Sequence, residues 1–133
     1  MSLRTLALGA AAAGLAVLAA SPALAANTTN SGQACFLASN WQGWKSPSPS
    51  VIYLRVGINE VFRLDLSAPS SQLQDPDVHL VSEVRGSAWI CNPLDLDLKV
   101  TDDHGLMREP LFVKSITKLS PDEVAAIPKE FKP

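Results

Sequence analysis

Between Leu94 and Val100, aliphatic side chains fall at every second position, with Asp95, Asp97 and Lys99 between them. A helix repeats every 3.6 residues and would scatter these side chains around its circumference, so the stretch fits an extended chain with one buried and one wet face. The same period recurs at Val51 to Val56, where Ile52, Leu54 and Val56 oppose Val51, Tyr53 and Arg55. It returns at Val61 to Leu66, where Phe62, Leu64 and Leu66 oppose Val61, Arg63 and Asp65. Gly57-Ile58-Asn59 supplies a tight turn between these two runs, which predicts an antiparallel hairpin with one aliphatic and one charged face. Arg55 and Arg63 are expected to oppose one another across it, near Tyr53 and Asp65, with cross-strand charge pairing as their role.

Further strands follow from weaker patterns. Val78, Leu80, Ser82 and Val84 form one side of a predicted strand, with His79, Val81 and Glu83 on the other. Arg85-Gly86-Ser87 reads as a turn, and Ala88 to Cys91 as a short buried piece ending at Asn92-Pro93. A last strand is expected over Leu111 to Lys118, with Ile116 on the Phe112 face. Lys45-Ser46-Pro47-Ser48-Pro49-Ser50, after Trp41 to Trp44, reads as a loop because proline supplies no ladder donor. At the end, Ser120-Pro121-Asp122-Glu123 combines an N-cap hydroxyl, a proline at the first helical position and a carboxylate at the third. Pro128 stops that helix after little more than one turn, so it caps a sheet rather than forming a layer. The chain is therefore expected to be mainly β, a small antiparallel barrel or sandwich of five to seven strands with one short C-terminal helix.

The amino terminus reads as an export signal. Arg4 precedes an uncharged apolar run to Ala20, Ser21-Pro22 breaks it, and Ala23-Leu24-Ala25 places small residues where a signal peptidase reads, predicting cleavage before Ala26. The apolar run is shorter than the roughly 20 residues of a bilayer crossing, so no stable membrane span is expected after cleavage. Residues 26–33 are small and polar, which predicts a disordered lead-in, followed by a single domain over 34–133. The 133 residues allow one small domain, not a two-domain enzyme. Eleven Lys and Arg against thirteen Asp and Glu leave no cationic surface for nucleic acid. Export takes Cys35 and Cys91 to an oxidising compartment, periplasmic or secreted, where one disulfide is expected. The alternative, a redox pair, lacks the Cys-x-x-Cys spacing that lowers a thiolate pKa.

In Cys35-Phe36, Trp44, the Val51 to Leu66 hairpin, the Ile90-Cys91 to Leu98 segment and the ending Lys118-Leu119-Ser120-Pro121 to Pro128, the chain resembles a family of small exported Gram-negative bacterial proteins of unknown function. In that family the ending reads Leu-Thr-Pro-x-Glu before an Ala-rich turn. The resemblance implies no activity. Family members often carry a second cysteine pair, at positions that fall near Ser70 and Leu111 here; its absence as a unit leaves Cys35 and Cys91 to pair with each other.

Reactive groups are sparse. His79 and His104 are the only imidazoles available as a base, and there is no Gly-x-Ser-x-Gly elbow. Asp102-Asp103-His104 holds metal-ligating types, but adjacent loop residues diverge, and Asp and Gly serve turns for backbone reasons. Asp95 and Asp97 project from one face of the predicted strand at about 7 Å, a spacing open to paired carboxylates, although an outward wet face also explains Lys99. No catalytic residue, metal ligand or cofactor is assigned. Trp89, two residues before Cys91, is expected against the bridge, and Trp41 and Trp44 are the candidate interaction surface. The expectation is a non-enzymatic binding domain for a protein or envelope component. The alternatives are a small hydrolase or metal-dependent enzyme using His79, His104 and nearby aspartates, and a carrier of small apolar ligands.

Overall fold

A computed structural model describes residues 34–84 and 86–133. The predicted signal peptide, the lead-in and Arg85 of the predicted turn lie outside the described residues. Within them the chain runs through β1 (Phe36–Leu37), β2 (Trp41–Ser48), β3 (Val51–Val56), β4 (Glu60–Leu66), β5 (Val78–Val84), β6 (Trp89–Ile90), β7 (Leu96–Asp102), β8 (Arg108–Leu111), β9 (Val113–Lys118) and the helix α1 (Pro121–Ala126). The strands form three antiparallel sheets, ordered β1-β6, β2-β3-β4-β9 and β5-β7-β8. This is the expected mainly β architecture, arranged as a sandwich. Among the described residues the sheets do not close into a barrel.

The two larger sheets bury their aliphatic faces together. Ile52, Leu54 and Leu64 from one and Leu98 and Val100 from the other are all at most 1% exposed and belong to one core. Every residue placed on the aliphatic face of the predicted hairpin is buried. Gly57, at φ +60°, supplies the left-handed turn between β3 and β4 that a side chain would strain. Val61, on the opposite face, is also buried, and it lines a surface pocket together with Val124 of α1.

Nine strands replace the expected five to seven, for three reasons. The Lys45 to Ser50 segment is not simply a loop: β2 pairs with β3 through Ser48, with register shifts at Trp41/Gly43 and Lys45/Ser48. Pro47 sits within the second shift on an edge strand, where a missing donor costs little. The Ser46 hydroxyl lies 2.7 and 2.9 Å from the Ser48 and Val51 carbonyls and closes that irregularity. Second, Phe36↔Ile90 and Leu37↔Trp89 form a two-residue ladder. Third, the predicted strand over Leu111 to Lys118 is broken at Phe112. Leu111 pairs with Leu98 in one sheet and Val113 with Leu66 in the other, so the chain changes sheets between them. A register shift opposite Asp65 and Leu66 then turns Ile116 towards the core, whereas Phe112 is 67% exposed; the two do not share a face.

The cleanest predicted strand also begins later than expected. Leu94 is 96% exposed on a 3₁₀ turn (Pro93–Asp95) that precedes β7. The Asp95 carboxylate accepts hydrogen bonds from the Cys91 and Asn92 amides, and Asn92 Oδ1 accepts from the Leu94 amide, so the side chains cap this turn rather than extend the ladder. Across the hairpin, the three-residue connection pairs Tyr53 with Arg63 and Arg55 with Val61, so the two arginines do not oppose one another.

Two further expectations hold. Cys35 and Cys91 are joined, with Cα atoms 4.2 Å apart, one register step beyond the Phe36↔Ile90 pair. At α1, Ser120 Oγ accepts from the Glu123 amide at 3.3 Å while the Ser120 amide donates to Glu123 Oε2 at 2.7 Å. Ser120→Ala should cost about 1 kcal/mol, read by urea denaturation, because the first-turn donor then faces only water.

Candidate functional site

Trp41 and Trp44 stand on β2, partly buried and packed against the core. Trp89 is the indole most open to solvent, at 52%, because Ile90 takes the inward position of β6 and leaves Trp89 on the outer face that Cys91 shares.

Trp44 lines a cleft of about 410 Å³. One wall is β2 with Trp44, Lys45 and Ser46, and the facing wall is the start of β5 with Val78 and His79. The 3₁₀ turns Ser71–Gln74 and Lys129–Phe131 contribute Leu73, Gln74, Glu130 and Phe131. β2 and β5 are the edge strands of their respective sheets, so the cleft occupies the seam where the sandwich stays open. Apolar walls from Trp44, Leu73 and Phe131 alternate with Lys45, His79, Asp75 and Glu130, giving both signs of charge around a concave surface. Gln74 Nε2 donates to Ser46 Oγ at 3.3 Å, and the Ser70 backbone amide donates to the Pro49 carbonyl just past β2, which fixes the turn against that strand.

The residues of the enzyme alternative are only partly assembled. His79 Nε2 contacts the Asp103 carboxylate, and both side chains are more than half exposed. Asp102 instead accepts from the Met107 amide and, through its carbonyl, from the Gly105 amide, so it holds the turn in which Gly105 takes φ +66°. His104 is exposed. Asp95 and Asp97 do not share a strand face, since Asp95 caps the preceding turn; Asp97 lies 3.8 Å from Lys99, which also meets Glu83 at 2.9 Å. Among the described residues, no group of three or more His, Cys, Asp or Glu is placed to hold a metal ion.

On the outer face of β4, Arg63 donates twice to Asp65 Oδ1, at 2.9 and 2.8 Å, while Ser115 donates to Asp65 Oδ2. The hydrogen bonds it donates to Asp65 hold the Arg63 guanidinium above its ordinary pKa, outweighing its partial desolvation. This network ties β4 to β9 and explains Arg63 without a ligand. Among the described residues no helix is long and apolar enough to cross a membrane.

Sequence reasoning found Trp44 but not the rest of its cleft. Asp75 and Phe131 are separated by more than fifty positions and carry no shared motif, so only the packing of the two 3₁₀ turns brings them together. Comparison with protein-family models, with curated proteins and with solved structures finds no match.

Proposed function

We propose that this chain is a periplasmic or secreted, non-enzymatic interaction domain that receives a protein or envelope component in the cleft between β2 and β5. The observation that carries the reading is the cleft itself: an open seam with an indole wall, a second aromatic ring and polar groups of both signs on its rim. Aromatic rings bury large areas at low entropic cost, and mixed rim charges select orientation, which suits a binding surface. The export reading draws its support from the amino-terminal sequence and from the joined cysteines.

The test is capture from envelope extract on immobilised protein, with variants of the cleft. Trp44→Ala and Lys45→Glu are each expected to reduce capture of a reproducible partner by about tenfold or more, as hot-spot positions do. Lys45 is exposed, so its replacement leaves the core intact. Trp89→Ala, outside the cleft, should leave capture unchanged. Retention indifferent to both cleft variants, or turnover of a panel of ester, peptide and glycoside substrates, would overturn the reading.

A further inference from the structure

Edge strands expose unpaired backbone donors and acceptors, and proteins usually blunt them with brevity, proline, lysine or bulges. Five of the six edge strands among the described residues are blunted in this way. β1 and β6 have two residues each. β2 carries Lys45, Pro47 and two register shifts, and β8 has four residues including Pro110. β9 carries a register shift together with Lys114 and Lys118. The exception is β5. Its seven residues, Val-His-Leu-Val-Ser-Glu-Val, pair one for one with β7 without a shift, and contain no proline, glycine or lysine. Among the described residues its outer edge has no neighbouring strand, and Val81 and Val84 are 43% and 47% exposed.

The order of residues along β5 is complementary to itself. In an antiparallel pair of two such strands centred on Val81, Val78 falls opposite Val84, His79 opposite Glu83, and Leu80 opposite Ser82. His79, Val81 and Glu83 share one face, so the two-fold axis would set Val81 against Val81 between two imidazole–carboxylate pairs. Within one chain His79 already meets Asp103 and Glu83 already meets Lys99. Joining two copies would therefore extend these contacts into a row in which acid and base alternate: Asp103, His79, the other Glu83, the other Lys99. On the opposite face the exposed Val84 would gain an apolar neighbour in Val78.

We propose that β5 is a homodimerisation edge, pairing antiparallel with β5 of a second copy about a two-fold axis at Val81 to form a continuous six-stranded sheet. The pairing shares Val78 and His79 with the lining of the cleft, so a second copy would occupy one wall of it; its tests read mass and cross-linking rather than capture, so the two readings fail separately. Sedimentation velocity on the purified, oxidised protein should show the mass doubling as concentration rises. Val81→Lys, which places two ammonium groups together at the axis, should keep the protein monomeric at millimolar concentration with an unchanged circular dichroism spectrum. Val81→Cys should cross-link copies under mild oxidation, whereas Val84→Cys should not, because the paired register separates the two Val84 positions by six residues. Four results would overturn the proposal: a wild-type monomer at millimolar concentration, a dimer that survives Val81→Lys, preferential cross-linking through Val84→Cys, or a monomer whose β5 instead takes up an extended peptide of another protein.

Discussion

Replacing both Cys35 and Cys91 with alanine is expected to lower the unfolding free energy by about 4 kcal/mol, since the bridge closes a loop spanning 56 positions in the unfolded chain. A domain of this size is commonly stable by about 5 to 15 kcal/mol, so the loss is a large share of the total. The structure adds a spatial prediction to that magnitude. The bridge lies next to a ladder only two residues long, and that ladder holds Phe36 and Ile90, at 3% and 0% exposure, in the core. Without the sulfur link, amide exchange should accelerate first at Phe36 to Ala38 and at Trp89 to Ile90, ahead of β3 and β4. Urea denaturation and hydrogen exchange on the double variant measure the two effects separately. A cost below about 1 kcal/mol would mean that burial of Phe36 and Ile90 alone secures this end of the sandwich.

The second large effect is expected at Phe62. Its ring is 1% exposed and stands 4.8 Å from the Phe36 ring at a 50° interplanar angle. Phe62→Ala should cost about 3 to 5 kcal/mol, the sum of lost transfer energy and an unfilled cavity. Because Phe62 belongs to β4 and Phe36 to β1, this contact joins the small sheet to the central hairpin. A double-mutant cycle with Phe36→Leu and Phe62→Leu should return a coupling of about 0.5 to 1.5 kcal/mol. Strict additivity would show that the two rings fill volume independently. The disulfide and the aromatic pair thus secure the same segment by different physics, one by restricting the unfolded chain and the other by packing the folded one.

What could be read in advance depended on how local the cause was. The Ile52-Leu54-Val56 and Phe62-Leu64-Leu66 faces were legible because burying one face of a two-sided strand forces alternation into the sequence itself. The α1 start was legible because capping is complete within four residues, Ser120 to Glu123. β2 was not, because an edge strand tolerates the Gly43 and Pro47 that elsewhere signal a loop. Leu94 matched the alternation of β7 by coincidence: Asp95 turned its carboxylate to the Cys91 and Asn92 amides and removed the residue from the ladder. Trp44 stood out as a large amphipathic side chain, but its cleft partners carried no mark of their roles.

The chain by itself determined that alternating segments would pair into antiparallel sheets, that one short helix would begin at Ser120, and that the aliphatic face of the central hairpin would lie in the core. These follow from side-chain periodicity and backbone capping, which act over a few residues. Tertiary structure alone decided that the strand after Leu111 would cross from one sheet to the other at Phe112, that β2 and β5 would be left as facing edges, and that a cleft would open between them. The physical reason is that a sheet edge is defined by the neighbour it lacks. Whether a strand has a neighbour depends on how all the others have packed, and no short stretch of sequence records that.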